Sequence, residues 1–96
     1  MNSDASSAPT VTRHDDRGRY ELVIGGEVVA FADFSTGDVI TIPYIETEAR
    51  LRGIGYSSLL MDGVIADLRS RGVQVRATCS VAHAHLAERA AELLVR

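Results

Sequence analysis

The hydrophobic pattern of the chain first changes from strand-like to helical inside the glycine-rich stretch EARLRGIGYSSLLMDGV, which runs from Glu48 to Val64. Before this stretch, apolar and polar residues alternate as they do in half-buried strands, and after it the apolar residues recur at helical spacing. The helical set is Leu60, Met61, Val64, Ile65 and Leu68. Because glycine is a poor helix former, Gly53 and Gly55 at the start of this helix either make a turn or leave room for a molecule to approach the backbone.

Four strands in antiparallel succession are predicted before the glycine-rich stretch, at residues 11–15, 19–24, 27–34 and 39–47. Gly25 and Gly26 separate the second and third runs and are typical of a two-residue hairpin turn. Pro43 falls inside the fourth run and has no N–H to donate. This strand is therefore predicted to be bulged, or unpaired on one side, at Pro43.

The predicted first helix ends at Gly72, with two arginines in its last turn, and a fifth strand follows at residues 73–79. A strand that follows so soon after a helix is typical of a crossover, so the fifth strand is expected to lie parallel to the fourth. A second helix is predicted over residues 81–95, with Ser80 as its N-cap. The order β-β-β-β-α-β-α indicates an α+β fold, in which two helices cover a mostly antiparallel sheet.

The totals of the sequence exclude several classes of protein. A chain of 96 residues makes one domain, and residues 1–10 are expected to form a disordered tail ahead of a domain at 11–96. A net charge of -3 argues against a nucleic-acid binder, and no apolar run approaches the ~20 residues of a membrane-spanning helix. The single cysteine, Cys79, and the lack of a signal-peptide pattern favour the cytoplasm. A domain this small gains stability from a partner, so a homodimer is also considered.

The glycine-rich stretch has the arrangement that binds phosphate, because a strand, a glycine turn and a helix N-terminus follow one another. The first N–H groups of a helix have no internal partner, and the helix dipole adds partial positive charge beside them. Arg50 and Arg52 add charge near the turn. Two better-known phosphate loops are excluded: the chain has no lysine for a P-loop, and Ser58 stands where the dinucleotide fingerprint has its third glycine.

The segment RLRGIGYSSLL resembles the acetyl-CoA loop of the GNAT superfamily of N-acetyltransferases, whose pattern is [QR]-x-x-G-x-[GA]. Arg50, Gly53 and Gly55 meet that pattern. The chain as a whole is similar to a short, YjdJ-like branch of acetyl-CoA-binding acetyltransferase-like domains. The similarity lies in the hairpin GRYELVIGGEVVAFADF, the glycine loop, and a cysteine at the end of the next strand that is followed by a helix. It covers about residues 11–95.

The resemblance implies a site for acetyl-CoA as cosubstrate. Backbone N–H groups of the loop would hold the pyrophosphate of coenzyme A. They belong to Leu51, Arg52, Gly53, Ile54, Gly55 and Tyr56. Ile45, Glu46 and Thr47, at the end of the fourth strand, would line the pantetheine arm between two splayed strand ends. Cys79, at the end of the fifth strand, would lie near the thioester.

The chain departs from the family pattern in ways that concern catalysis. Leu51 replaces the first glycine of the loop, and Tyr44 replaces a histidine that is sometimes credited as a base in the short branch. Larger members insert two helices between their first two strands to build the acceptor site, whereas only the turn DDRG stands there in this chain. The resemblance therefore implies an acceptor site that is open or completed by a partner chain.

Cys79 and Glu46 are the candidate catalytic residues. The Cys79 thiol could be a nucleophile or acetyl carrier, or it is a small buried side chain at a strand end. Glu46 or Glu48 could accept the proton of the amine, and Tyr44 or Tyr56 could protonate the leaving thiolate. Each of these side chains also has a purely structural interpretation, as a solvated charge or as packing.

Histidines on the predicted second helix do not suggest a metal. His83 and His85 are two residues apart, so their side chains diverge on a helix, and no cysteine–histidine set has zinc spacing. No metal is predicted. Both histidines are expected at the surface, unless one of them reaches the Cys79 thiol.

The sequence predicts an acetyl-CoA-binding N-acetyltransferase that transfers the acetyl group to an amine of a small molecule or protein. Two other functions stay open. One is a coenzyme A-binding or protein-interaction module without significant turnover, and the other is a small structural domain whose glycines only make a turn. The identity of the amine acceptor is not contained in the sequence.

Overall fold

The computed structural model describes residues 8–95 as five strands and two helices in the order β-β-β-β-α-β-α, which confirms the α+β prediction. Of the expected tail at residues 1–10, residues 1–7 lie outside the described part, and the first strand begins at Thr10. The elements are β1 Thr10–His14, β2 Arg19–Ile24, β3 Glu27–Ser35, β4 Ile40–Thr47, α1 Tyr56–Arg71, β5 Val75–Ala77 and α2 Ser80–Arg89. Short 3-10 turns cover Ala49–Leu51 and Ala91–Leu93.

The strands form one sheet in the order β1-β2-β3-β4-β5. The first four strands are antiparallel neighbours, whereas β5 pairs parallel to β4 after the crossover through α1. Gly25 and Gly26 connect β2 to β3 with φ angles of 60° and 78°. Such angles suit a tight turn whose twist matches the strands, and glycine adopts them without strain. The predicted hairpin and the predicted parallel strand are both confirmed.

The predicted bulge at Pro43 is confirmed by the register between β3 and β4. Asp33 pairs with Tyr44, and Ser35 pairs with Thr41, so β4 advances three residues where β3 advances two. The extra residue lies in the segment that contains Pro43. A bulge increases the local twist, and it turns the end of β4 away from the direction set by its first half.

β5 is shorter than the predicted strand at residues 73–79, because its partner strand turns away. Pairing with β4 covers only Val75–Ala77 opposite Ile40–Ile42. The Thr78 and Cys79 N–H groups then both donate to the Ile42 carbonyl, at 3.1 and 3.4 Å. The next residue of β4 is Pro43, which offers no N–H, so the ladder stops and the two strands diverge.

The second helix was predicted to run over residues 81–95, and this was wrong at both ends. Cys79, in extended conformation, is the N-cap, so Ser80 is the first helical residue and not the cap. The helix ends at Arg89, and Ala90 leaves the helical region with φ -153° and ψ 47°. Leu94 then bridges to Val75, which adds one more chain segment beside β5. No glycine or proline marks this break in the sequence.

The core lies between the two helices and one face of the sheet. α1 packs on β2 and β3 and α2 packs on β4 and β5, and the helices contact each other. The buried side chains of α1 are Leu60, Met61, Val64, Ile65 and Leu68, as the helical spacing predicted. Gly63 of α1 lies directly against Val11 of β1. A methyl group added at Gly63 would lie 2.4 Å from the Val11 Cγ2 atom, which is closer than van der Waals contact.

A polar network fixes α1 to the first two strands. The Tyr20 hydroxyl donates to the Asp67 carboxylate at 2.6 Å and accepts from the Arg13 guanidinium at 2.9 Å. Arg71, one turn further along α1, holds the same carboxylate at 2.7 Å. Burial opposes the charge on Asp67, but hydrogen bonds from Tyr20 and Arg71 outweigh it and lower the pKa of this carboxyl.

The face of β1–β4 opposite the helices carries polar and charged side chains, and we call it the open face. Strand register places its residues in two rows that cross the sheet. One row is Thr12, Glu21, Phe31 and Glu46. The other row is His14, Arg19, Asp33 and Tyr44. Both helices lie on the other side of the sheet, so the open face is accessible along the end of β4.

Candidate functional site

A cleft of about 320 Å³ opens where β4 and β5 diverge. Its walls are the end of β4, the loop that carries the two glycines, and the first turns of α1 and α2. Seven residues of the predicted site line it. They are Ile45, Glu46, Thr47, Arg52, Gly53, Gly55 and Tyr56. The bulge at Pro43 and the short β5 thus create the space that the sequence assigned to a ligand.

Two glycines shape the loop beside the cleft. Gly53 and Gly55 have φ angles of 87° and 100°, in the left-handed region that other residues rarely adopt. A Cβ atom added to either residue would meet nothing within 4 Å, so the space in front of both is open. The glycines therefore serve the turn, and they also leave the backbone exposed to the cleft.

The N-terminus of α1 points its first amides out of the helix at this loop. Gly55 is the N-cap, and the first helical hydrogen bond runs from the Leu59 N–H to the Gly55 carbonyl at 3.3 Å. The N–H groups of Tyr56, Ser57 and Ser58 precede that bond and have no acceptor within the helix. Within residues 8–95, no side chain caps this end, and the first turn holds no acidic residue. The positive end of the helix dipole is therefore uncompensated, which favours an anion there.

The two arginines before the loop differ in their surroundings. The Arg52 Nε donates to the Thr47 carbonyl at 3.2 Å, which holds the side chain on the cleft wall. Arg50 instead pairs with the carboxylates of Glu27 and Glu48, and it does not line the cleft. Of the two arginines that the sequence placed beside the phosphate, only Arg52 lines the cleft.

Tyr44 and Glu46 form a pair at the β4 side of the cleft. The Tyr44 hydroxyl donates a hydrogen bond to the Glu46 carboxylate, and both side chains line the cleft. That hydrogen bond raises the pKa of the Tyr44 phenol above its ordinary value, because the carboxylate disfavours a second negative charge. A proton acceptor and a proton donor are thus in contact at one wall.

Comparison with known proteins identifies the family. The model of the family described as GCN5-related N-acetyltransferase matches residues 19–93. The chain belongs to this family. Its fold is similar to the NMR structure of a GCN5-like protein from Staphylococcus aureus, with a TM-score of 0.58 and 15% identity over 90% of this chain and 87% of that one. No curated protein sequence matches the chain.

Three residues that line the cleft of this family member were not among the predicted coenzyme A-binding residues or the two candidate catalytic residues. They are Tyr44, Ser57 and Val81. Tyr44 was weighed as an acid, and Ser57 is the second residue of the helix that begins at the loop. Val81 lies in the first turn of α2, where its side chain is 46% exposed despite being apolar. The one sequence feature that could have pointed to Val81 as a cleft residue is its position two residues after Cys79, which was predicted to lie near the thioester.

Three predicted residues do not line the cleft. Leu51 is half-buried and packs against the core, whereas Ile54 is 58% exposed at the tip of the loop. Cys79 is half-buried at the point where β4 and β5 separate, and it also packs against the core. The catalytic role of Cys79 stays a prediction, as do the ligand contacts of the loop backbone.

The histidines of α2 do not join the cleft. His83 is exposed and His85 is half-buried, and within residues 8–95 neither makes a hydrogen bond to Cys79 through its side chain. In the described part of the chain, no three His, Cys, Asp or Glu side chains are grouped so as to hold a metal ion. None of the helices between residues 8 and 95 is long and apolar enough to cross a membrane.

Proposed function

We propose that this family member binds acetyl-CoA in the cleft and transfers the acetyl group to a primary amine. One observation carries the proposal. The cleft between β4 and β5 ends at a glycine loop whose open backbone leads into an uncapped helix N-terminus. This combination provides a narrow slot that suits the extended pantetheine arm of coenzyme A. At the end of the slot it provides an anion site that suits the pyrophosphate.

The pyrophosphate would lie at the loop. The N–H groups of Tyr56 and Ser57 point out of the helix there, and Gly53 and Gly55 present no side chain to block it. The Arg52 guanidinium supplies the positive charge, since its Nε is already fixed by Thr47 and its other nitrogens can donate to phosphate oxygens. The backbone contacts predicted for Leu51 and Ile54 belong to the same proposal.

The pantetheine arm would follow β4 towards the sheet. Ile45 and Thr47 line the cleft, and β4 has lost its β5 partner beyond Ile42. Amide groups of the arm would add to this free strand edge as a short extra strand does. The thioester would then lie beside Tyr44 and Glu46, with its carbonyl oxygen stabilised by a backbone N–H as charge develops.

The chemistry needs two proton movements, and the Tyr44–Glu46 pair can make both. Glu46 takes a proton from the acceptor ammonium, and the free amine attacks the thioester carbonyl. The C–S bond breaks as Tyr44 gives its proton to the leaving sulfur. Glu46 returns its proton to the Tyr44 phenolate through their hydrogen bond, and the second proton of the nitrogen leaves to water. The products are an amide and coenzyme A with a free thiol.

Cys79 gives this proposal an alternative route that can be tested. An acetyl group carried by the Cys79 sulfur would make transfer a two-step reaction through a thioester with the protein. Intact-mass measurement after exposure to acetyl-CoA, in wild type and Cys79→Ser, distinguishes the routes. Direct transfer predicts no acetylated chain and an active Cys79→Ser variant. An acetyl adduct that Cys79→Ser lacks would establish the two-step route.

Release of free thiol from acetyl-CoA tests the reaction itself. Wild-type protein is incubated with acetyl-CoA and a panel of primary amines, and acetylated amines are identified by mass spectrometry. We expect at least one amine to be acetylated faster than in the absence of protein. Bound coenzyme A with no amine consumed would instead favour a binding module without turnover. The open face supports that second function, because no helix of the described chain builds an acceptor site over it.

A further inference from the structure

The open face contains a second concavity, of about 350 Å³, which we call the acidic pocket. Among its lining residues are Glu21, Phe31, Glu46 and Glu48. Glu46 also lines the cleft between β4 and β5, so the two spaces adjoin at this carboxylate. A molecule in the acidic pocket can therefore reach the position where the proposed thioester lies.

A row of three side chains forms the floor of the acidic pocket. Glu21 pairs with Phe31, and Phe31 pairs with Glu46, on three adjacent strands. Neighbouring strands are ~4.8 Å apart, so the Glu21 and Glu46 backbones lie about 10 Å apart with a phenyl ring between them. Val28 widens the apolar floor, with 42% of its surface exposed. Two carboxylates thus flank a short apolar surface.

Negative charge dominates the lining of the acidic pocket. It has three carboxylates and one guanidinium, that of Arg19. The Arg19 charge is already balanced, because its Nε bonds the Asp33 carboxylate at 2.8 Å while the guanidinium lies 3.8 Å from the centre of the Phe31 ring. Glu21 is paired with Arg17, and Glu48 shares Arg50 with Glu27. With these partners and Asp33 included, five carboxylates stand against three guanidinium groups, so the pocket favours a cation, and in particular one that carries an apolar segment.

Glu21 is held in place by neighbouring side chains at the far end of the row. It is buried, its Oε1 atom lies 3.0 Å from the His14 Nε2 atom, and its Oε2 atom accepts from Arg17 at 3.3 Å. A carboxylate has about four lone-pair positions, so two partners leave it able to accept from a ligand. Glu48 stands at the rim, 42% exposed at its side chain, and shares Arg50 with Glu27.

We propose that the acidic pocket binds the acceptor of the acetyl transfer, and that the acceptor is an aliphatic amine with a second cationic group. This inference rests on the function proposed above. The reacting amine lies beside Glu46 and must lose its positive charge before it attacks the thioester. The remaining carboxylates, Glu21 and Glu48, then favour a cation that stays charged, and the aliphatic segment between the two groups lies along Val28 and the part of Phe31 that the Arg19 guanidinium leaves uncovered.

A set of matched substrates tests the second cation. Putrescine, butylamine and γ-aminobutyrate each carry a reacting amine on a four-carbon skeleton. Putrescine has an ammonium on its fourth carbon, butylamine ends in a methyl at that carbon, and in γ-aminobutyrate that carbon is a carboxylate. We expect kcat/KM for acetyl transfer to be about fivefold higher for putrescine than for butylamine, as for one partly exposed ion pair, and lowest for γ-aminobutyrate. Putrescine has two equivalent amines, which alone give a factor of two, so a putrescine-to-butylamine ratio of two or less would overturn the inference.

Variants locate the second cation. Glu48→Gln and Glu21→Gln should each lower the ratio of the putrescine value to the butylamine value, whereas Asp38→Asn, an exposed carboxylate in the β3–β4 connection, should leave it unchanged. The ratio is insensitive to general loss of activity, and Glu48→Gln serves if Glu21→Gln does not fold. An unchanged ratio in both glutamate variants would place the cation elsewhere and overturn the inference.

Two further measurements separate the source of the amine from failure of the proposed function. A capped Lys-Arg dipeptide is compared with capped lysine alone. The comparison shows whether a basic neighbour raises kcat/KM for a protein lysine as much as the second ammonium raises it for putrescine. If no amine is acetylated, calorimetry of putrescine against butylamine still decides whether the pocket prefers two cations. Preferential putrescine binding would support the pocket although the transfer had failed, and equal binding would overturn the pocket as well.

Discussion

The Tyr44 hydroxyl donates a hydrogen bond to the Glu46 carboxylate on the wall that separates the cleft from the open face. The two residues are separated by one position on β4, so their side chains point to the same face of the strand. In the proposed reaction, Glu46 accepts the proton of the amine and Tyr44 gives one to the leaving sulfur. We propose this pair for the acid–base roles that the family resemblance left open.

Removal of either member of the pair should slow acetyl transfer. Tyr44→Phe and Glu46→Gln should each lower kcat by about 10²-fold, a typical contribution of one acid or base. The double variant should be little slower than either single variant, because the two groups act as a unit. Steady-state kinetics with a saturating amine provide the measurement. Losses that multiply in the double variant would show that the two groups act independently.

Arg52 and Arg50 should contribute differently to coenzyme A affinity. Arg52→Gln removes a charge on the cleft wall and should raise the Kd of coenzyme A about tenfold, the effect of one charge-assisted hydrogen bond. Arg50→Gln should change the Kd less than twofold, because Glu27 and Glu48 already occupy that guanidinium. Titration of each variant at two salt concentrations checks both. Equal losses would mean that Arg50 turns towards the ligand on binding.

Gly63 should resist replacement although it lies inside a helix. Glycine to alanine in a helix normally stabilises by about 1 kcal/mol, but the new methyl would lie 2.4 Å from the Val11 Cγ2 atom. We expect Gly63→Ala to lower the free energy of unfolding by about 1–3 kcal/mol, the range for overpacking. Val11→Ala should restore part of the loss. Urea denaturation is the measurement, and a stabilised Gly63→Ala protein would mean that β1 is free to move away from α1.

The Tyr20 hydroxyl should make the fold sensitive to alkali. Burial, and then the hydrogen bond to Asp67, raise the pKa of Tyr20 from 10.0 to about 12. Between these values the unfolded chain has lost the proton that the folded chain keeps, so the free energy of unfolding falls as the pH rises from 10 to 12. The contribution is about 2–3 kcal/mol.

Urea denaturation of wild type and Tyr20→Phe across this pH range measures the effect. Tyr20→Phe should be less stable at neutral pH, where it lacks the bonds to Asp67 and Arg13, and its stability should fall less between pH 10 and 12. Parallel curves for the two proteins would show that Tyr20 ionises equally in the folded and unfolded chains.

The sequence predicted those parts of the fold that depend on local pattern. The spacing of Leu60 to Leu68 predicted the buried face of α1, and Gly25-Gly26 predicted the hairpin, because each feature depends on a few neighbouring residues. The ends of β5 and α2 could not be predicted. β5 is short because Pro43, which lies on β4, ends the pairing between the two strands. α2 is short because Leu94, which was predicted to be helical, pairs with Val75 of β5 instead.

The candidate site was predictable to the same degree. The loop glycines and the end of β4 were found because both are visible in the sequence. The two glycines indicate a turn, which the structure makes with positive φ angles, and a strand-like run precedes them. Arg50 was placed beside the ligand because the sequence does not reveal its pairing with Glu27, 23 residues away. The acidic pocket was missed for a similar reason, since Glu21 and Glu46 become neighbours only through the register with Phe31.

Calorimetric titration with coenzyme A tests the central claim, that the glycine loop is a ligand site, and a matched pair of variants makes it specific. Gly53 and Gly72 lie beyond opposite ends of α1, both with positive φ, 87° and 67°, and both with open space where a Cβ would be. Gly53→Glu places a carboxylate in the cleft, and Gly72→Glu places one away from it. We predict that wild type and Gly72→Glu bind coenzyme A with the same Kd and that Gly53→Glu gives no measurable heat. Absence of binding by the wild type, or equal binding by Gly53→Glu, would contradict the account.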